Sequence, residues 1–320
     1  MFKWEKLGQV FNPFDVADRP DWMYEFAQSP NTIEFDDFIR VYFCCRPKPD
    51  ENNQRETRCA FVDLDKDDLT KVLYIAKEPV MDLGPLGAFD QFGTYPVSMI
   101  REDNKIYAYY GGWSRGATVP FNISLGGAIS TNSGVTFTKM GVGPVLSHSL
   151  DEPFVCGSPK IRKYGDTWFL LYMAGSKWIM SEGRPEVVYK LRMAVSENGI
   201  DWFKTNRNLI PDVMEENECQ AGPDVFYMRG KYHMFFTYRK ALNFRDNKDS
   251  AYRIGYAYSY DMLDWFRDDA SVGITFSKTG WDSEMLHYPH LFECKDKIYM
   301  LYNGNEFGRK GFGVARLDEH

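Results

Sequence analysis

Four acidic residues stand at similar distances before a proline. A carboxylate lies five to seven residues ahead of the proline at Asp90, Glu152, Glu218 and Glu284. Two carboxylates that flank a glycosidic bond can cleave it, because one protonates the leaving oxygen and the other activates water or attacks the sugar. A single acid before a strand is usually a turn or capping residue. Since four occur at equivalent places, we predict that they supply the catalytic acids, with Glu218, Glu284 and Asp90 first and Glu152 in reserve.

Residues that can hold a sugar occur near the same places. Tyr and Trp faces stack on sugar rings, while amide and guanidinium groups bind hydroxyl or anionic groups. The candidate substrate-binding residues are Gln28, Arg46, Tyr95, Trp113, Arg239, His287, Tyr288, Asn303, Asn305 and Arg309. For Trp113, which ends the stretch "YYGGW", core packing and sugar stacking are equally open.

Three of these residues are arginines in a chain of net charge −7, namely Arg46, Arg239 and Arg309. Arginine recognises carboxylates and phosphates through two parallel hydrogen bonds. The arginines therefore predict a substrate with an acidic group, such as a uronic acid, a sialic-like sugar or a sugar phosphate. The alternative is that they only neutralise the acids Asp90, Glu218 and Glu284.

The elements that must position these residues form a repeat. Five prolines that each open a short strand are spaced by 66, 63, 64 and 66 residues: Pro30, Pro96, Pro159, Pro223 and Pro289. An aromatic strand follows each proline, and a third strand follows that one, as in "YKLRMAVSENGIDWF" (189–203) and "YRIGYAYSYDMLDWF" (252–266). A fourth strand is expected around the Trp or Phe that ends such a stretch. Four antiparallel strands repeated radially are typical of a β-propeller.

The repeat predicts an all-β, five-bladed β-propeller that occupies residues 1–320 as one domain. The last unit lacks a fourth strand, whereas "WEKLGQVF" (4–11) has the composition of a strand and no blade of its own. We therefore expect the N-terminal strand to close the ring by pairing into the last blade, which also covers an open edge. The first strands of the blades would begin on one face, so the acids would converge there.

Composition argues against several other classes of protein. Negative net charge disfavours a nucleic-acid or anionic-membrane partner. No run of 18 apolar residues occurs, so no membrane span is expected, and the start lacks an apolar signal core. Six scattered cysteines without a zinc spacing favour free thiols in the cytoplasm. No metal or cofactor motif is visible, so none is predicted; whether a calcium ion occupies the axis stays open, as does the oligomeric state.

The chain resembles the five-bladed propeller glycoside hydrolases, the superfamily of families 32, 43, 62, 68, 117 and 130, and within it an uncharacterised, polysaccharide-associated branch. The motifs that carry the resemblance are "FDQFGTYPVSMI", "YYGGW", "GWDSEMLHYPHLF" and "YMLYNGNEFGRKGFG". The resemblance implies an axial funnel with acids from the early blades as base or nucleophile, orienting group and general acid.

This chain departs from that pattern, since "AQSPN" has Gln28 and Ser29 where an Asp would open the first blade, and "CGSP" lacks a Glu before Pro159. Either the acids have moved to the four positions named above, or hydrolysis has been lost. The resulting hypotheses are a glycosidase that acts on a sugar or glycoconjugate, a phosphorylase or glycosyl transferase, and a non-catalytic carbohydrate-binding propeller.

Overall fold

A computed structural model describes residues 1–318 of the chain, and almost all of their regular structure is β-strand. The strands form five sheets of four antiparallel strands each. The first strand of every sheet contacts the first strands of two other sheets, so these five strands make a closed ring around a central axis. The predicted five-bladed propeller with four-stranded blades is therefore confirmed.

Each of the first four blades uses four consecutive strands. Blade one contains β2 (Glu25–Glu34), β3 (Phe38–Arg46), β4 (Arg58–Asp65) and β5 (Val72–Ile75). Blade two contains β6 (Gly93–Glu102), β7 (Lys105–Ser114), β8 (Asn122–Ser130) and β9 (Thr138–Lys139). Blade three contains β10 (Cys156–Tyr164), β11 (Thr167–Ser181), β12 (Arg184–Ser196) and β13 (Phe203–Lys204). Blade four contains β14 (Cys219–Met228), β15 (Lys231–Arg239), β16 (Arg253–Ser259) and β17 (Trp265–Arg267).

Blade five is completed by the start of the chain. Its strands are β18 (His287–Cys294), β19 (Lys297–Asn303), β20 (Phe312–Leu317) and β1 (Trp4–Phe11). β1 pairs antiparallel with β20, with Trp4 opposite Leu317 and Phe11 opposite Phe312. This pairing confirms that the N-terminal strand closes the ring, and it covers the edge that β20 would otherwise expose.

Helical structure is confined to single turns. Three short 3-10 helices span Pro13–Asp15, Asp21–Met23 and Asp269–Ser271, and the turn α1 spans Asn305–Gly308. No helix among the described residues is long and apolar enough to cross a membrane. All six cysteines are buried and unpaired.

The second strand of each blade accounts for much of the aromatic content. In β3 every residue from Ile39 to Cys45 is buried, since blades pack against it on both faces. Fully buried Tyr42 and Phe43 point to opposite faces of this strand and belong to two different inter-blade clusters. Large flat side chains suit these positions because strands favour aromatics and each ring removes a large apolar area from water.

The inner strands begin earlier than the sequence indicated. We expected each to start at its proline, but β2 starts at Glu25, five residues before Pro30, and the others start two to four residues before theirs. The reason is an irregularity in the pairing of every inner strand, located around the proline. Such a bulge lets a strand continue through a residue that cannot donate a backbone hydrogen bond.

Candidate functional site

Three of the predicted catalytic acids are buried in ion pairs within their own blades. The Asp90 carboxylate lies 2.5 Å from Lys139 Nζ and accepts a hydrogen bond of 2.8 Å from the Tyr110 hydroxyl. Glu152 repeats this arrangement. Its carboxylate lies 2.5 Å from Lys204 Nζ and accepts a hydrogen bond of 2.9 Å from the Tyr172 hydroxyl.

Glu218 continues the pattern, because its carboxylate forms an ion pair of 2.6 Å with Arg267. It also accepts hydrogen bonds from the backbone N–H groups of Val213 and Met214. In blade five the equivalent acid is Asp282, which pairs with Lys6 at 2.6 Å and accepts a bond from Tyr302. Glu284, which we had predicted for this role, is exposed on the surface.

All four cations lie in the outermost strand of their blade. We call these contacts the outer-strand ion pairs: Asp90–Lys139, Glu152–Lys204, Glu218–Arg267 and Asp282–Lys6. Each pair connects the loop before the inner strand to the outer edge of the blade. The repeat of acids along the sequence is therefore the repeat of a structural contact. The sequence predicted that the acids converge at the axis. The contacts of the described residues do not bring them together there.

The residues that do meet at the axis stand directly before and after the prolines. The residue before each proline forms the entrance ring: Ser29, Tyr95, Ser158, Gly222 and Tyr288. Four of the five adopt a left-handed backbone, with φ between 50° and 54°, and the bond from Tyr95 to Pro96 is cis. This ring contains two tyrosines and no carboxylate.

Residues that follow the prolines close the axis below the ring. We call Asn31, Lys160, Asp224 and His290 the floor network; each comes from a different blade. Thr32 N–H donates to His290 Nε2 at 2.9 Å, so the neutral ring carries its proton on Nδ1, which donates to Asp224 at 2.8 Å. Burial lowers the pKa of Lys160 to about 8, although Asp224 opposes this shift. Because these side chains satisfy one another, the axis is closed rather than an open channel.

Tyr95 and Tyr288 bond across the axis through their hydroxyl groups, at 2.5 Å. They belong to blades two and five, which are not neighbours in the ring. The Arg46 guanidinium, at the end of β3, lies 4.5 Å from the ring centre of Phe26 and 5.8 Å from that of Tyr95. Arg46 makes no ion pair with a carboxylate of the described residues, and its Nε has no hydrogen-bond partner there. Burial lowers its pKa, since the charged form loses water.

A second arginine without a carboxylate lies in blade four. Arg239 is 2% exposed and stacks on Phe244, with the guanidinium carbon 3.5 Å from the ring centre. Its terminal nitrogens donate to the carbonyl groups of Lys240 and Ala241 and, at 3.0 Å, to the Tyr189 hydroxyl. Its Nε has no partner among the described residues, and no described carboxylate forms an ion pair with it. Arg239 is thus a buried cation whose charge the protein leaves uncompensated.

His287 connects the tyrosines to this arginine. Its ring stacks on Tyr252, 5.3 Å between centres, and lies 4.6 Å from Tyr288, while Tyr252 lies 5.1 Å from the Arg239 guanidinium. Burial lowers the pKa of His287 to about 3, so it is neutral at pH 7. We call Arg46, Tyr95, Arg239, Tyr252, His287 and Tyr288 the axial site.

Several buried polar atoms have no hydrogen-bond partner among the described residues, and three of them belong to the axial site. They include Gln28 Oε1, Arg46 Nε, Thr94 Oγ1, Arg239 Nε and His287 Nε2. Gln28, Thr94 and His287 occupy the same position, two residues before the proline, in three blades. Buried polar groups are nearly always bonded, so the unpartnered atoms of the axial site are available to a ligand.

The other predicted binding residues have structural contacts. Asn303 donates to the carbonyl groups of Ala27 and Gly311 and accepts from Ser29 N–H, and the Asn305 side chain accepts from the backbone of Glu284. The Trp113 indole donates to Thr57 at 2.6 Å. Arg309 pairs with Glu25, at 2.7 Å.

Sequence reasoning missed Tyr189, Tyr252 and Phe244. The signal for the two tyrosines was present, because each opens one of the two matching stretches quoted above. These tyrosines were not among the predicted site residues.

Surface cavities lie elsewhere on the molecule. One of about 420 Å³, lined by Phe2, Arg229 and Tyr256, opens on blade four. Another of about 590 Å³, lined by Arg162 and His290, lies beyond the floor network at the opposite end of the axis. Neither cavity is lined by the residues that carry the unpartnered atoms named above. These atoms therefore favour the axial site over both cavities as the candidate binding site.

Comparison with known proteins places the chain in a family without an assigned activity. No family model matches. Over 317 residues it is 33% identical to the "Uncharacterized protein Rv1502" and, equally, to the "Uncharacterized protein MT1551", both of Mycobacterium tuberculosis, covering 98% of this chain and 99% of theirs. The chain belongs to the family of these two proteins.

Solved structures with the same fold are carbohydrate-active. A protein described as "Glycoside hydrolase" is similar with a TM-score of 0.76 at 14% identity, covering 99% of this chain and 93% of that one. A β-1,2-mannobiose phosphorylase from Listeria innocua is similar with a TM-score of 0.68 at 12% identity, over 99% and 96%. A thermostable family-43 glycoside hydrolase is similar with a TM-score of 0.64 at 15% identity, over 92% and 88%. The predicted resemblance to the five-bladed propeller glycoside hydrolases is confirmed for the fold.

Proposed function

We propose that this protein binds an acidic carbohydrate at its axial site and cleaves a glycosidic bond of that ligand. The observation that carries the proposal is the pair of cations, Arg46 and Arg239, that approach the axis from blades one and four without a carboxylate partner. A buried charge is costly unless it is paired. A carboxylate or phosphate group on the ligand would supply the missing partner.

The contacts of the acids weigh against the alternative that these arginines serve to neutralise them. Asp90 already has Lys139 and Glu218 already has Arg267. Arg309 differs, since it pairs with Glu25 and, at 3.2 Å, with Glu306. The case for an acidic ligand therefore rests on Arg46 and Arg239. Tyr95 and Tyr288 provide ring faces and hydroxyl groups for the sugar itself.

The nature of the cleavage is the second part of the proposal. Hydrolysis by two of Asp90, Glu152 and Glu218 would require each acid to leave its cation, and breaking a buried pair costs about 3–5 kcal/mol. The solved structures that resemble this chain include both hydrolases and phosphorylases, and their titles describe those proteins only.

Phosphorolysis is the second candidate, favoured by the absence of a carboxylate from the entrance ring. Phosphate is itself the nucleophile in that reaction, so a single proton donor is sufficient. Arg46 and Arg239 would then hold inorganic phosphate through charge-assisted hydrogen bonds.

Calorimetry and a turnover assay on the same preparation test the proposal. Glucuronic acid, N-acetylneuraminic acid and glucose 1-phosphate should bind, whereas glucose should bind about 10-fold to 100-fold more weakly, as expected for the loss of one or two charge-assisted bonds. A panel of aryl glycosides and polysaccharide fragments is then incubated with and without phosphate. Cleavage only with phosphate selects phosphorolysis. Binding without turnover across the panel leaves the non-catalytic carbohydrate-binding hypothesis, and equal affinity for neutral sugars contradicts the acidic ligand.

A further inference from the structure

The entrance ring has no carboxylate, yet a glycosidic bond breaks readily only if its leaving oxygen receives a proton. Of the five ring positions, those of Tyr95 and Tyr288 are the ones with an ionisable side chain. Both tyrosines keep partial exposure, whereas Tyr189 and Tyr252 are buried at 5% and 9% exposure. A ligand in the axial site can therefore reach the first pair.

The hydroxyl pair holds one proton more than its own hydrogen bond uses. Each phenol has a single O–H, and the bond of 2.5 Å between Tyr95 and Tyr288 consumes one of the two. Among the described residues no other acceptor receives a hydrogen bond from either hydroxyl. The adjacent Arg46 only donates. One O–H is therefore left to face a ligand.

We propose that Tyr95 and Tyr288 act together as the proton donor to the leaving oxygen of the glycosidic bond, an inference that rests on the proposed cleavage. The bond between the anomeric carbon and the leaving oxygen breaks, and that oxygen takes the free phenolic proton. A new bond forms between the anomeric carbon and an oxygen of the acceptor, either water or inorganic phosphate.

The proton balance closes for both acceptors. With monohydrogen phosphate as acceptor the product is a sugar phosphate, and the tyrosine recovers its proton from solvent as the leaving alcohol departs. With water as acceptor, the attacking molecule releases one proton to solvent, and solvent returns one proton to the tyrosine.

The surroundings keep the pair protonated and stabilise the charge that forms on it. Burial raises the pKa of Tyr95 and of Tyr288, so both hydroxyls carry their protons at neutral pH, while the charge of Arg46 acts in the opposite direction on each. Negative charge that develops on one phenolic oxygen is stabilised by the O–H of the other and by the Arg46 guanidinium. Preorganised donors of this kind reduce the cost of charge development.

The variants Tyr95→Phe and Tyr288→Phe test the inference on two substrates that differ in their need for a proton. Phenyl glucuronide requires protonation of its leaving group, whereas 2,4-dinitrophenyl glucuronide does not, and both anomers of each are used. Each variant should lose about 100-fold to 10,000-fold in kcat/KM on the phenyl substrate. On the dinitrophenyl substrate we expect less than about a 5-fold loss, because an activated leaving group departs without general acid help.

Tyr260→Phe is the matched control, since Tyr260 is 60% exposed on blade four and outside the axial site, and it should behave as the wild type on both substrates. Melting temperatures and calorimetric binding of glucuronic acid establish that the variants fold and bind. Equal losses on both substrates, or no loss on either, overturn the assignment of the tyrosines while leaving the proposed function intact. If the wild type turns over neither substrate nor any member of the glycoside panel, the proposed function fails and this inference fails with it.

Discussion

Tyr189 and Tyr252 hydrogen-bond to each other through their hydroxyl groups although 63 positions separate them in the chain. The separation equals one unit of the sequence repeat, and the two residues open equivalent stretches of blades three and four. Tyr189 also accepts a bond from Arg239. Repetition of the blade thus brings equivalent residues of two neighbouring blades into contact, where a pair of identical side chains supports a single cation.

Replacement of Arg239 by lysine should separate recognition of an anion from general packing. Arg239→Lys keeps the positive charge but removes the planar fork and the bond to Tyr189. A charge-assisted hydrogen bond contributes about 1.5–3 kcal/mol, so glucuronic acid should bind about 10-fold to 100-fold more weakly. Binding of neutral sugars should change by less than about 3-fold. Titration calorimetry at pH 7 measures both.

Arg316→Lys provides the control for Arg239→Lys, because Arg316 pairs with Glu5 at the surface and lies in β20 away from the axis. This variant should bind both classes of sugar like the wild type. If Arg239→Lys weakens acidic and neutral sugars equally, Arg239 supports the fold and does not contact the acidic group.

The outer-strand ion pairs predict a loss of stability without a loss of binding. Asp90→Asn leaves the largely buried Lys139 without its counter-ion, which should cost about 3–5 kcal/mol of unfolding free energy. The affinity for acidic sugars should stay within about 3-fold, since Asp90 contacts no residue of the axial site. Urea unfolding and calorimetry measure the two quantities.

The double variant Asp90→Asn/Lys139→Met should recover part of that loss, because a buried ion pair can be replaced by apolar groups at little cost. Glu284→Gln is the neutral control, with a change within about 0.5 kcal/mol, since its side chain is exposed. An Asp90→Asn protein that is as stable as the wild type but inactive would return Asp90 to the catalytic role that the sequence suggested.

The fold could be predicted from the sequence because a propeller repeats its signals. The spacing of Pro30, Pro96 and their equivalents set the number of blades, and the unpaired stretch 4–11 indicated how the ring closes. The boundaries of the inner strands could not be predicted, since a proline ordinarily marks the start of a strand. Here each inner strand continues through its proline, and the residue before the proline has a left-handed backbone or is joined to the proline by a cis bond.

The site was harder to predict, since a repeated residue signals either a repeated contact or a shared function. The acids repeat because blades two to five share the same ion pair, as the partners Lys139 and Lys204 in equivalent outer strands make clear. Nothing in the spacing reveals those partners, because the lysines lie about 50 residues downstream in short strands. Arg46, Arg239, Tyr95, His287 and Tyr288 were identified from the ends of strands, where the geometry of a propeller converges.

Removal of residues 1–11 should damage blade five. The deletion takes away β1, the Lys6 partner of Asp282 and the buried Trp4, and it exposes the backbone edge of β20. Unpaired strand edges promote association with other chains. We expect a melting temperature lower by at least about 10 °C and a shift to oligomers or aggregates, measured by calorimetry and light scattering. Lys3→Ala, which loses only a surface pair with Asp318, should remain close to the wild type.

Acid should destabilise the protein through His287. Its folded pKa of about 3 lies below the unfolded value near 6.5, so between these values the unfolded chain binds a proton that the folded chain does not. Stability contributed by this group is complete above pH 6.5 and falls as the pH decreases toward 3. At pH 5 the loss amounts to about 2 kcal/mol from this residue. Urea unfolding at pH 7 and pH 5 measures it.

His287→Gln should remove most of that difference, because glutamine does not titrate in this range. The comparison is made on the change between the two pH values, so contributions of other groups, including His290 in the floor network, cancel. His148→Gln, which alters an exposed side chain, should retain most of the wild-type dependence on pH. If His287→Gln and the wild type lose the same stability between pH 7 and pH 5, then the pKa of His287 in the folded protein lies close to its unfolded value.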